Sequence, residues 1–265
     1  MKILLSISYD GHNYCGFQAQ PNGVSVQAVL TEAFSRLLGF PCDITGCSRT
    51  DSGVHARQFC ATVFPREKQR QNENWCPIPV GKIHRAANVL LPDDIAVRAA
   101  AAVPDDFHPR YNAAGKTYEY HIRDCPARDP FSRGRVYCSG RPVTEEGLAR
   151  MRQICSLFVG RHDFAAFMAS GSKITDTLRT VSLAEVQRLS EEELVFTVTA
   201  DGFLYNMVRI MAGTLLDCAW ERKNEDDIRQ ALLSGDRSKA GFTAPPEGLF
   251  LCRVHYESEI HWECL

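Results

Sequence analysis

Two strand-like stretches, residues 180–189 and 193–200, are separated only by Ser190-Glu191-Glu192. Parallel neighbours need a crossover of about a dozen residues or more, so this pair reads as an antiparallel hairpin. Hairpins mixed with helical segments point to an α+β fold, not a doubly wound sheet. The rest of the chain carries both periods. Ile3, Leu5, Ile7 and Tyr9 alternate with Lys2, Leu4, Ser6 and Ser8, the pattern of a strand that Asp10-Gly11 ends. Ser25 is placed to cap a helix whose apolar face is Val26, Val29, Leu30, Ala33, Phe34, Leu37 and Leu38, with Gly39 and Pro41 as its stop.

The remaining elements follow in order. Short strands are predicted at 43–47 and 59–64, a surface excursion at 66–79, a helix near 80–90 and a strand at 95–103. Pro104-Asp105-Asp106 marks a boundary that divides the chain into residues 1–105 and 106–265. Beyond it, a strand at 116–123 puts Tyr118, Tyr120 and Ile122 on one face. Pro- and Gly-rich sequence fills 126–142, followed by a helix at 145–158. A strongly apolar helix is predicted at 203–220, a short one at 225–233, and a last strand at 249–256. No fixed-period repeat is visible.

Composition narrows the class. A chain of 265 residues that is 45% hydrophobic can bury one large core or two small ones. No apolar run reaches the length of a membrane span. The N-terminus has neither the long apolar stretch nor the small-residue cleavage site of a secretory signal, so a cytoplasmic location is expected. The eleven cysteines are scattered, odd in number and without a Cys-x-x-Cys pair, which reads as reduced thiols. Cys42, Cys47, His55 and Cys60 have metal-ligating side chains, but their spacing matches no common zinc pattern. The formal net charge of -2 disfavours a uniformly basic surface. Acidic runs at Glu191-Glu192-Glu193 and Glu225-Asp226-Asp227 hold much of the negative charge, while Arg49, Arg57, Arg66 and Arg70 cluster elsewhere. A local basic surface for nucleic acid is compatible with that distribution.

The most informative segment is Ser48-Arg49-Thr50-Asp51-Ser52-Gly53-Val54-His55-Ala56, which sets a cation, hydroxyls, a carboxylate and an imidazole between apolar strands. Ser, Asp and Gly are also ordinary turn residues, so the residue types alone leave a structural reading open beside a catalytic one. Arg209 adds to the catalytic reading. It is the only basic residue of the apolar helical stretch before its end, and a buried guanidinium needs a partner, ideally a carboxylate. Asp51 is the candidate that would make chemical sense. Tyr118 on its strand could be core, or a ring on which an RNA base stacks.

Taken together, these segments resemble the TruA family of tRNA pseudouridine synthases over nearly the whole chain. The likeness rests on residues 48–56; on Phe107-His108-Pro109-Arg110-Tyr111-Asn112-Ala113 with Lys116-Thr117-Tyr118-Glu119-Tyr120-His121-Ile122; and on Gly202-Phe203-Leu204-Tyr205-Asn206-Met207-Val208-Arg209 with Ala244-Pro245-Pro246-Glu247-Gly248-Leu249. Tyr9-Asp10-Gly11 and Gly16-Phe17-Gln18-Ala19-Gln20 fit as well. Ser48 departs from the glycine common before the arginine.

The resemblance implies a fold of two similar α+β domains sharing a mostly antiparallel central sheet flanked by helices, with the active site in the cleft between them. It implies isomerisation of uridine to pseudouridine at tRNA positions 38, 39 and 40 in the anticodon arm. No cofactor and no metal would be needed, and the enzyme would work as a homodimer whose two subunits contact one tRNA. Asp51 would be the catalytic carboxylate, acting at the ribose C1′–C2′ region either as a nucleophile or as a base that leads to a glycal. Arg49 would help extrude the nucleotide, Tyr118 would stack on the uracil and take the C5 proton, Arg209 would pair with Asp51, and Leu249 would pack on the base. The reaction breaks an N1–C1′ bond and makes a C5–C1′ bond, which needs a carboxylate, a closed pocket and a base. A non-catalytic RNA-binding protein of this fold is expected to lack the Asp or the Arg. A glycosidase or phosphatase would want a second acid, a metal or a phosphate cradle.

Overall fold

The computed structural model describes residues 1–66, 75–127, 129–172 and 174–263. Most of the predicted excursion at 66–79, including Arg70, therefore lies outside the described residues. The chain forms two compact units, Met1–Ala114 with Leu251–Leu265, and Gly115–Phe250.

In the first unit, strand β1 (Lys2–Tyr9) lies between β3 (His55–Pro65) and β4 (Ile95–Val103), antiparallel to both. The strand predicted from the alternation is present, and Leu4 and Ser6 are buried along with Ile3 and Leu5. A strand with neighbours on both edges and both faces covered loses the in–out alternation on which that reading relied. Strand β2 (Cys42–Gly46) pairs with the Ala61–Pro65 end of β3. The last strand, β10 (Leu249–Tyr256), follows β3 in the order β4-β1-β3-β10, so the chain's end completes a sheet that its beginning started.

Helix α1 (Val26–Leu38) has the predicted ends. Ser25 accepts from the Ala28 amide, and Gly39 closes the helix in the left-handed region at φ 78°. The helix expected near 80–90 is a 3-10 turn at Val80–Lys82 running into α2 (Ile83–Asn88).

The second unit is an antiparallel sheet in the order β5-β9-β8-β7: β5 (Ala113–Arg123), β9 (Glu193–Ala200), β8 (Leu178–Ser190) and β7 (Gly160–Asp163). The β8–β9 hairpin is as expected, with Val186 opposite Phe196. The two-residue β6 (Tyr137–Cys138) adds a parallel pairing to β5, and β7 was not foreseen. Helix α3 (Glu145–Phe158) packs on β8 and on α4 (Met207–Ala219). Every residue of α4 except Arg209 is buried, as a helix that is apolar all round must be. Helix α5 (Glu225–Ser234) begins with a capping box made by Asn224 and Asp227. The two acidic runs thus have local roles. One supplies the negative first turn of α5, and Glu192 and Glu193 both pair with Arg123.

The expected helix at 203–220 starts four residues late. Asn206 sits at φ 59°, a left-handed conformation that cannot continue a helix, and the Met207 amide bonds back to Leu204 as a turn. These corrections leave the class intact: the fold is α+β with mostly antiparallel sheet and flanking helices. Among the described residues no helix is long and apolar enough to cross a membrane.

Candidate functional site

The 48–56 loop is fixed on both sides of Asp51. On one side, Thr50 is buried; its hydroxyl shares a 2.8 Å hydrogen bond with the Tyr9 hydroxyl, and its carbonyl accepts from the Phe17 amide at 3.1 Å. On the other side, the Tyr14 carbonyl accepts from the Ser52 hydroxyl at 3.1 Å and from the Gly53 amide at 3.4 Å. The Val54 amide closes a turn onto the Asp51 carbonyl at 3.2 Å, and Gly53 takes φ 78° within it. Asp51 is half-buried at the first position of this turn, while Arg49 is exposed. His55 is buried; its Nδ1 accepts from the Gly11 amide at 3.0 Å and lies 3.1 Å from Asp10 Oδ1. It is the first residue of β3, so its side chain belongs to the scaffold under the loop.

Tyr14 and Asp94, which no sequence motif singles out, form the far anchor of this loop. The Tyr14 hydroxyl donates to Asp94 Oδ1 at 2.5 Å, and the Asp94 carbonyl accepts from the Asp10 amide at 2.9 Å. Burial, then the Asp94 carboxylate, push the Tyr14 phenol well above its ordinary pKa, so it stays a donor. Removing a hydrogen bond to a charged group costs about 1.5–3 kcal/mol. Tyr14→Phe is therefore expected to lower the unfolding free energy by about that amount, measured by urea denaturation. A change within experimental error would mean that the anchor is not needed.

Cys42 and Cys47 are buried, and the Cys47 thiol accepts from the Cys60 amide at 3.4 Å. Burial, ahead of the nearby Asp43 carboxylate, raises the Cys42 thiol to about 11. Among the described residues no group of three His, Cys, Asp or Glu side chains is arranged to hold a metal ion.

The second unit carries Tyr118, Arg209 and Leu249. Tyr118 is buried on β5 opposite Val198, on the same face as Tyr120 and Ile122, as predicted. Its ring meets Phe203 edge-on with centroids 5.0 Å apart. Arg209 is half-buried in the first turn of α4. Its Nε donates to the Ala244 carbonyl at 2.7 Å and its Nη1 to Asn206 Oδ1 at 2.8 Å. The Ala244 amide returns a bond to the Arg209 carbonyl at 3.1 Å. Two of the guanidinium's donors are thus spent on orientation, and Asn206 and Ala244, both in segments that carry the resemblance, act as the acceptors, a role the sequence did not predict. The available signal was the asparagine before the helix, a residue that tolerates positive φ.

Leu249 is buried at the start of β10, just after the 3-10 turn Pro246–Gly248. That turn is tied to β5, because the Tyr120 hydroxyl donates to the Pro245 carbonyl at 2.7 Å.

The family model described as tRNA pseudouridine synthase matches residues 5–112 and 154–257. The chain is 42% identical over 255 residues to a protein of Ruminiclostridium cellulolyticum named tRNA pseudouridine synthase A, covering 96% of this chain and 99% of that one. A protein of the same name from Syntrophotalea carbinolica is 42% identical over 255 residues, covering 96% of each chain. Another from a Thermoanaerobacter species is 40% identical over 254 residues, covering 96% of this chain and 99% of its own.

Proposed function

Because the chain belongs to the tRNA pseudouridine synthase family, we propose that it isomerises uridines at positions 38, 39 and 40 of the tRNA anticodon arm, with Asp51 as the catalytic nucleophile. The observation that carries this reading is the Asp51 turn itself. It lies inside a segment matched by the family model, and both flanks of the carboxylate are tied to buried scaffold.

In this reading an Asp51 carboxylate oxygen attacks C1′ and the N1–C1′ bond breaks, leaving its electron pair on the uracil. The uracil turns within its pocket, and C5 attacks C1′ and displaces the carboxylate. Loss of the C5 proton and gain of one at N1 then restore the aromatic ring, with no net change in protons. Tyr118 stacks on the uracil and takes that proton, Leu249 packs against the base, and Arg209 orients the Asp51 carboxylate through a charge-assisted hydrogen bond. Since a stacked uridine cannot present C1′ and C5 to these groups, the nucleotide must leave the stem, a step assigned to Arg49. The same reading gives a cytoplasmic homodimer in which one tRNA touches both subunits.

Release of tritium from tRNA labelled at uridine C5, followed by pseudouridine mapping, tests this directly. Label should leave only from positions 38–40. Free uracil as the main product would assign the chain to hydrolysis instead. Arg209→Ala is expected to lower kcat on the order of 10²-fold, the range found for losing one preorganised charge-stabilising donor, while tRNA affinity stays within about threefold. Loss of affinity with kcat intact would remove Arg209 from the chemistry.

A further inference from the structure

Residues 107–112 link β4 to β5, and their anchoring is more elaborate than a connection needs. Pro109 is buried, and its carbonyl accepts from the Tyr256 hydroxyl at 2.9 Å. Lys2 Nζ donates to the Phe107 carbonyl at 2.9 Å, and the Phe107 ring packs on Tyr256 with centroids 5.3 Å apart. Inside the turn, His108 Nδ1 accepts from the amides of Arg110 and Tyr111 at 3.1 and 3.3 Å. Asn112 closes the turn from the other side, its Oδ1 accepting from the His108 amide at 2.7 Å and its amide donating to the His108 carbonyl at 3.0 Å. Burial, then the cations of Lys2 and Arg110, lower the His108 pKa, which keeps Nδ1 an acceptor at neutral pH.

What this frame displays is an aromatic ring. Tyr111 is 77% exposed, its centroid 4.2 Å from the His108 ring at 33°, with the Arg110 guanidinium 5.9 Å from that centroid. The turn's hydrogen bonds use the Tyr111 amide and make no use of its ring. With a net charge of -2, the chain has little overall attraction for a polyanion, so affinity for RNA must come from local groupings of cations and rings. Aromatic faces flanked by arginine are how unpaired nucleotides are held with little regard to sequence.

We propose that Tyr111, backed by His108 and flanked by Arg110, is a stacking platform for an unpaired nucleobase of the tRNA substrate, with Arg110 meeting an adjoining phosphate. The proposal rests on the tRNA reading above and adds a binding surface separate from the residues assigned to the chemistry.

The test uses the full chain, filter binding of unmodified tRNA, and tritium release. Tyr111→Ala should raise Kd and KM by roughly 5- to 100-fold while kcat at saturating tRNA holds. Tyr111→Phe, which keeps the ring, should bind like the parent. Arg110→Ala should weaken binding and reduce the slope of log Kd against log salt by about 1. An unchanged Kd for Tyr111→Ala would overturn the platform. So would a shift in sedimentation behaviour with RNA affinity intact, which would assign the ring to a contact between copies of the chain. Tyr111-dependent tRNA binding in a parent protein that releases no tritium would uphold the platform and overturn the catalytic reading.

Discussion

Asp51→Ala is expected to cut tritium release from C5-labelled tRNA by roughly 10³-fold or more while leaving the protein folded and tRNA affinity within a few-fold of the parent. The separation follows from how the turn is held. Its bonds come from the Thr50 hydroxyl and carbonyl, the Ser52 hydroxyl, the Gly53 amide and the Val54 amide, the last donating to the main-chain carbonyl of residue 51. Substitution at 51 leaves every one of those groups in place. Asp51→Asn makes the stricter comparison. It keeps volume and hydrogen-bonding capacity but removes the charge and the nucleophile, and it should be as inactive as the alanine variant. Thermal unfolding of both variants within a few degrees of the parent would confirm that only chemistry was lost. Release that continues at the parental rate in either variant would remove Asp51 from the mechanism.

A large loss of stability is expected from Gly213→Ala. A β-carbon at this position in α4 would lie 2.0 Å from the Phe242 carbonyl oxygen and 2.9 Å from the carbonyl carbon. Both neighbours are main chain, so no side-chain rotation relieves the clash. Segment 241–244 is also locked in place from its own side, where the Gly241 amide donates to the Thr214 hydroxyl at 2.8 Å. Overpacking of this kind costs about 1–3 kcal/mol and more when backbone must move. We expect about 3 kcal/mol, a fall in Tm of roughly 6–12 °C for a chain of this size. The damage should reach Arg209, because the displaced segment carries the Ala244 carbonyl that fixes Nε. In a double-mutant cycle the kcat losses of Gly213→Ala and Arg209→Ala should therefore fall short of additive. A Tm within about 2 °C of the parent would show that the helix and the segment separate without cost.

Much of this was legible wherever a local rule decided the outcome. Ser25 and Gly39 bracket α1 because a side-chain acceptor and a left-handed residue are what helix ends require. The strand at 95–103, the helix at 145–158 and the last strand at 249–256 lie where the sequence predicts them. Features set by distant residues escaped. Residues 203–206 share the apolar character of the helix that follows, and only the backbone angle at Asn206 separates them from it. Strand β7 is too short to show a period, and its Arg161, His162 and Asp163 look like loop residues until β8 lies beside them. At the site, Arg209 stands out by charge among apolar neighbours, and Asp51 by lying in a charged, hydroxyl-rich loop between apolar strands. Their supports do not, because the Tyr14 and Ala244 carbonyls belong to the main chain, and any residue at those positions presents the same atom.

The return of β10 to the first unit has a consequence for synthesis. A ribosome that has translated through Ala114 has delivered β1 to β4 but not the strand that follows β3 in their sheet. The His55–Cys60 stretch of that edge, which β2 does not cover, stays open until the whole of Gly115–Phe250 has been made, a long exposure for main-chain groups able to pair with a neighbouring nascent chain. A prematurely terminated product ending anywhere in that interval would leave the ribosome as an unfinished sheet, a natural client for chaperones and proteases.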